Sequence, residues 1–187
     1  MNSQQLRRTR IMVTMLILLA ELLHLAWEFT QGGVKSHHLL YRADLPAISN
    51  GWGILLLPTL SWFLLGRIEK RLLSHSADLD KDSKLPVRIT VGFVASLLYG
   101  VSLAVAFTQQ QEAIASYLFL GMLWVAVLIP VYRSEYMLGF ILGMTFTFGA
   151  ILPTIVASLV AIVSTILHFL VRRIIKFIRP IRYVSVQ

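Results

Sequence analysis

The sequence predicts an all-α integral membrane protein, a bundle of six transmembrane helices with both termini on the cytoplasmic side. Of its 187 residues, 57% are hydrophobic and only 14% are charged, whereas soluble domains carry about 25% charged residues. The chain contains no cysteine, which excludes disulfides and thiolate metal sites. Six apolar stretches and an uneven distribution of basic residues complete the prediction.

The six apolar stretches are predicted spans because a spanning helix needs about 20 mainly apolar residues. They are residues 11–29, 51–66, 87–107, 113–132, 135–148 and 152–171. The last two belong to one apolar block that is too long for a single span. Gly149 and Pro153 favour a break in it. We therefore expect a short fifth span, broken from the sixth near Gly149–Pro153, within a single transmembrane domain.

The basic residues orient these spans. Six spans place 15 of the 17 lysines and arginines on one side, and only Lys35 and Arg42 on the other. Positive residues remain cytoplasmic, so both termini, the loop 67–86 and the basic tail 172–187 are expected inside, with the loop 30–50 outside. The expected location is a bacterial inner membrane. The basic residues are then expected to interact with anionic lipid headgroups, and nucleic acid is not expected as a partner.

Small residues at four-residue spacing are predicted to let helix backbones approach closely. They are Gly92, Ser96, Gly100 and Ala104 in the third span, Gly139 and Gly143 in the fifth, and Ala157 and Ala161 in the sixth. The pattern is equally suited to contacts within one chain and to contacts in a homo-oligomer, so the oligomeric state stays open.

The first span carries three ionisable residues, Glu21, His24 and Glu28. Ionisable side chains within a span are costly and are candidates for function. Their spacing places all three on one helical face, so this face is expected to point into the bundle or into a water-filled cavity. Glu21 is the candidate catalytic proton acceptor, with its proton affinity tuned by burial.

The external loop supplies further candidate ligands. Imidazole and carboxylate groups suit zinc, iron or manganese. A divalent metal site is therefore predicted from His24, Glu28, His37, His38 and Asp44. No haem is expected, because the histidines at the two ends of the bundle lie at different depths. No nucleotide is expected, because no phosphate-binding loop is present.

The surroundings of this site suggest how a substrate is held. Trp27 and Trp52 flank it and are candidates for stacking on a substrate, while Lys35 and Arg42 are candidates for attracting an anionic headgroup. Thr145, Thr147 and Thr154, near the break between the last two spans, are further candidates for lining the cavity, although bonds to their own helices are the simpler reading.

Three functions remain open from the sequence. The leading one is a metal-dependent membrane enzyme, of hydrolase type or similar, acting on a lipid-like or membrane-soluble substrate. The second is a transporter or solute-binding subunit in which the loop 30–50 closes over a small molecule held by Glu21, His24 and Trp27. The third is a scaffold or assembly protein whose polar helix face docks a membrane-protein partner.

Overall fold

A computed structural model describes residues 2–38, 47–77 and 84–178. These residues form six α-helices, one short antiparallel hairpin and one 3₁₀ turn at Asn50–Trp52. The helices are α1 (Ser3–Thr30), α2 (Gly53–Ala77), α3 (Leu85–Thr108), α4 (Glu112–Leu128), α5 (Ser134–Phe148) and α6 (Ile151–Ile178), and the hairpin strands are β1 (Ser36–His38) and β2 (Ala47–Ser49). The prediction of a mainly helical chain is confirmed.

Four of the helices are long and apolar enough to cross a membrane, namely α1, α2, α3 and α6. Helix α4 is apolar but has only 17 residues, and α5 has 15. Large apolar side chains on the outside of the bundle are widely exposed, including Leu23 and Leu128, of which the latter is 77% exposed. Contiguous exposed apolar surface on this scale is typical of a lipid-facing protein.

Helix α5 lies at the centre of the bundle. Ten of its fifteen residues are buried, and it packs against α2, α3 and α6. Its glycines face α3 so closely that a Cβ built on Gly139 would lie 2.3 Å from the Phe93 carbonyl oxygen, and one on Gly143 would lie 2.4 Å from the Leu97 carbonyl oxygen. The predicted small-residue stripes of the third and fifth spans therefore pack against each other within one chain.

Two ion pairs join the helices at one end of the bundle. Arg10 of α1 reaches α2, where its Nη1 lies 3.3 Å from a carboxylate oxygen of Glu69 and its Nε donates to the Trp62 carbonyl oxygen at 3.0 Å. Arg71 of α2 pairs with Glu135, at the start of α5, at 2.8 Å. These contacts make α1 antiparallel to α2, and α2 antiparallel to α5.

Several helix ends differ from the predicted spans. Helix α2 continues over residues 67–77, which the sequence placed in a cytoplasmic loop, and α1 begins eight residues before the predicted span. These extensions are polar, and they contain leucine, arginine, lysine and glutamate, which favour helix. Helix α4 ends at Leu128 instead of residue 132, and α6 continues to Ile178. The predicted break lies at Gly149, whose φ of 67° suits glycine, between α5 and α6.

Candidate functional site

Helix α1 brings Glu21, His24 and Glu28 onto one face, as their spacing predicts. The His24 imidazole lies between the two carboxylates, with Nδ1 3.8 Å from Glu21 Oε2 and Nε2 3.6 Å from Glu28 Oε1. Both glutamates are almost fully buried. The three side chains thus form a continuous ionisable row inside the bundle, which we call the α1 row.

Glu28 is held by two donors from outside α1. The Asn50 side-chain amide donates to Glu28 Oε1 at 2.7 Å, and the Lys35 backbone N–H donates to Oε2 at 3.1 Å. Hydrogen bonds to an ionised acceptor are among the stronger ones in proteins. Glu28 therefore fixes the segment after α1 and the start of α2 to the end of the α1 row.

The segment after α1 folds back at this point. Gly32 and Gly33 have φ values of 114° and 118°, a region open mainly to glycine. The hairpin then begins, with His37 of β1 paired to Ile48 of β2, and the Asn50 N–H donates to the Lys35 carbonyl oxygen at 2.9 Å. The base of the segment between α1 and α2 is thus anchored directly on the α1 row.

Glu21 occupies a different position, against the first turn of α2. A Cβ built on Gly53 would lie only 1.8 Å from Glu21 Oε1, so only glycine leaves space for this carboxylate. Glu21 Oε1 and His24 Nε2 are buried, and neither has a hydrogen-bond partner. An unsatisfied buried polar atom costs about 1–3 kcal/mol, and such atoms mark a place where a ligand or water is accommodated.

A cavity of about 380 Å³ lies beside these two side chains. Small-molecule sites measure about 300–1,000 Å³ and combine apolar walls with a few polar groups. The lining consists of Val13, Leu16, Ile17, Ala20, Glu21, His24, Leu57, Phe93, Leu142, Thr145 and Phe146. Leu16 and Ala20 are exposed, so the cavity is open at the outer surface of the bundle, between helices.

Aromatic rings lie beside His24, and one of them, Phe146, lines this cavity. The ring of Phe146 lies 4.8 Å from the His24 ring and 5.6 Å from the Trp27 ring, measured between centroids. The Lys35 ammonium lies 5.8 Å from the Trp27 ring centroid. The Thr145 hydroxyl donates to the Ile141 carbonyl oxygen at 2.7 Å, which leaves its oxygen lone pairs available to a ligand.

The structure brings together five of the predicted site residues, namely Glu21, His24, Trp27, Glu28 and Lys35. Trp52 lies in the 3₁₀ turn and is exposed. His37 and His38 lie in β1, where their backbone is paired with β2. Arg42 and Asp44 lie outside the described residues.

The metal hypothesis rests in part on these last residues. Among the side chains that the structure describes, which do not include those of His37 and His38, no group of three or more histidine or acidic residues is arranged to hold a metal ion. In the α1 row itself, the two imidazole nitrogens face different carboxylates, so an ion on either nitrogen is within reach of only one of them. Ligation of zinc, iron or manganese by His24, Glu28, His37, His38 and Asp44 stays a prediction.

Sequence reasoning missed three contributors to the site. These are Asn50 in the 3₁₀ turn, Gly53 at the start of α2, and Phe146 in α5. Asn50 and Gly53 could have been found from their position in the sequence. They lie at the start of the second span, which must be at the same depth as the end of the first span, where Glu28 lies. Nothing in the sequence indicated Phe146.

Comparison of the chain with protein-family models, with curated proteins and with solved structures found no match.

Proposed function

We propose that this chain is an integral membrane protein that binds a lipid-like or membrane-soluble molecule, with its polar end at Glu21 and His24 and its apolar part in the adjoining cavity. One observation carries the proposal: Glu21 and His24, each of which has a buried polar atom without a hydrogen-bond partner, line a largely apolar cavity.

The chemistry of the two side chains suits such a molecule. A neutral imidazole donates from one nitrogen and accepts at the other, and a carboxyl group accepts or donates according to its protonation. Together they match a hydroxyl or carbonyl group on a ligand. Glu28 already accepts hydrogen bonds from Asn50 and from the Lys35 backbone, so the proton acceptor of the site is Glu21.

An enzyme and a solute carrier use this site differently. In an enzyme, Glu21 removes a proton from the bound molecule, with His24 stabilising the charge that develops. The hairpin favours the second function, because its base is bonded to Glu28 and its movement is therefore coupled to the site. Recovery of a chemically altered molecule from the purified protein identifies the enzyme, and recovery of an unaltered molecule identifies the carrier.

We infer six spans with both termini in the cytoplasm of a bacterium. The support is the excess of basic residues on one side of the predicted spans. Helices α4 and α5 are about 25 and 22 Å long at 1.5 Å per residue, less than the hydrocarbon thickness of about 30 Å. Because α5 is buried inside the bundle, its length does not have to match the thickness of the hydrocarbon layer. The cavity then opens toward lipid, which suits a membrane-soluble ligand.

Photolabelling tests the binding proposal. The full chain, purified in mild detergent, is irradiated with a long-chain alcohol that carries a diazirine in its tail, and the labelled peptides are identified by mass spectrometry. We expect label on the cavity walls of α1 and α5. Glu21→Gln and His24→Gln should each reduce labelling by about tenfold, the equivalent of ~1.4 kcal/mol.

Two further variants make the test specific. Ala20→Trp places a large ring in the cavity and leaves both polar groups unchanged, so it should also abolish labelling. Glu112→Gln makes the same charge change at an exposed residue in the first turn of α4 and should have no effect. Unchanged labelling in the Ala20→Trp and His24→Gln proteins would show that the cavity does not bind the probe.

A further inference from the structure

A second cavity lies at the opposite end of the bundle from the α1 row. Its volume is about 310 Å³, and it is bounded by the first turn of the polar extension of α2 and by the segment that leads into α5. The lining residues are Arg67, Ile68, Arg71, Tyr132, Arg133 and Ser134. Three of these six side chains are arginines, which gives the cavity a strong positive charge.

Among the described residues, the positive charge of this cavity is only partly compensated. Arg71 pairs with the buried carboxylate of Glu135 at 2.8 Å. Arg67 and Arg133 have no acidic partner within the described part of the chain. Like charges that share a cavity repel one another, and the repulsion grows as water is removed. An anion between the three guanidinium groups would relieve it.

Hydrogen-bond donors in the cavity are also available. The Nε atom of Arg71 is buried and has no partner. The Tyr132 hydroxyl accepts from Arg172 of α6 at 3.4 Å, which leaves its own proton free to donate. Ser134 begins α5, where the helix dipole adds further attraction for a negative group.

From this arrangement we infer that the cavity is a binding site for a phosphoryl group. Planar guanidinium groups match phosphate oxygens by bidentate hydrogen bonds, and several arginines around one cavity are typical of phosphate recognition. The group is carried either by a lipid headgroup or by a free phosphate ion, because both are anions of the same chemistry. This site is distinct from the α1 row and does not depend on the function proposed there.

Binding is measured on the full chain in nonionic detergent. Native mass spectrometry counts retained phosphatidylglycerol, with phosphatidylcholine as the probe without net charge. Sodium phosphate is titrated separately against sodium chloride of equal ionic strength, and the thermal midpoint is followed by tryptophan fluorescence. Stabilisation by phosphate alone identifies a soluble ligand, whereas retention of phosphatidylglycerol alone identifies a lipid headgroup; either result supports the site.

The variant pair Arg67→Gln/Arg133→Gln removes two guanidinium groups from the cavity and leaves the Arg71–Glu135 pair intact. We expect the affinity to fall by about tenfold for each arginine removed. The control pair Arg7→Gln/Arg8→Gln removes the same charge from exposed positions near the start of α1 and should change it by less than about twofold.

Each single substitution is measured as well, so that misfolding of a double variant does not decide the result. Equal losses in the two double variants would mean that the basic residues act only as a diffuse surface charge, and the site would be refuted. Failure of the unmodified chain to bind phosphatidylglycerol or phosphate would refute it equally.

Discussion

Replacing Gly53 with alanine tests the position of Glu21 without changing any ionisable group. Gly53 has φ and ψ of −58° and −33°, an α-helical conformation that alanine adopts freely. The added Cβ would lie 1.8 Å from Glu21 Oε1 and 2.8 Å from its carboxyl carbon. Since ordinary contact begins at 3.4 Å, the carboxylate must move by about 1.6 Å.

Two opposing effects determine the free energy of unfolding of this variant. Alanine in a helix is more stable than glycine by about 0.5–1 kcal/mol. Overpacking of a buried site costs about 1–3 kcal/mol, and the displaced carboxylate also leaves its position beside His24. We therefore expect Gly53→Ala to lower the free energy of unfolding by about 1–2 kcal/mol, measured in mixed micelles with increasing dodecyl sulfate by tryptophan fluorescence.

The decisive comparison is the same substitution in a Glu21→Ala background. With the carboxylate gone, only the helix preference remains, so Gly53→Ala should become stabilising by about 0.5–1 kcal/mol. Gly51→Ala is the matched control, because its Cβ would meet only the Ser49 hydroxyl at 3.4 Å. An equal loss of stability from Gly53→Ala in both backgrounds would show that Glu21 does not pack against α2.

Two further substitutions test contacts that support the site. Asn50→Ala removes the amide that donates to Glu28 at 2.7 Å, so it should lower stability by about 1–3 kcal/mol and speed limited proteolysis within the external segment. Gly143→Ala places a methyl group 2.4 Å from the Leu97 carbonyl oxygen, which cannot move as freely as a side chain, so α3 and α5 should separate at a cost of about 1–3 kcal/mol, measured by unfolding in mixed micelles.

Matched variants accompany both substitutions. Asn50→Asp places a second carboxylate beside Glu28 and should be worse than Asn50→Ala, because like charges then meet in a buried position. Gly121→Ala meets only the end of the Tyr99 side chain, at 3.2 Å, and should cost less than Gly143→Ala. The packing scheme is wrong if Gly121→Ala and Gly143→Ala cost the same, or if Asn50→Asp is neutral.

The helical fold could be predicted because a long apolar run of residues has few stable conformations other than a membrane helix. The arrangement of the helices could not, because lipid is as apolar as a protein core. The sequence of α5 is no more apolar than that of α4, yet α5 is central and α4 is largely exposed. Helices α1 and α2 extend beyond the predicted spans, since hydropathy does not detect polar helical turns that continue past the apolar part of a span.

The candidate site also has a part that could be predicted from the sequence and a part that could not. Glu21, His24 and Glu28 lie on one helix, so the helical period alone brought them together. Asn50 and Phe146 come from other segments, and their approach depends on which helices are neighbours, which a single sequence does not encode in any local pattern. Residues within one element were therefore predictable, and contacts between elements were not.

The two hydrogen bonds that Glu28 accepts from outside α1 have a mechanical consequence. The Glu28 side chain therefore connects the end of α1, the base of the hairpin and the residues that lead into α2. A displacement of the hairpin base therefore acts directly on the Glu28 carboxylate, which lies 3.6 Å from the His24 imidazole. The hairpin base, the start of α2 and the end of the α1 row are therefore expected to move together.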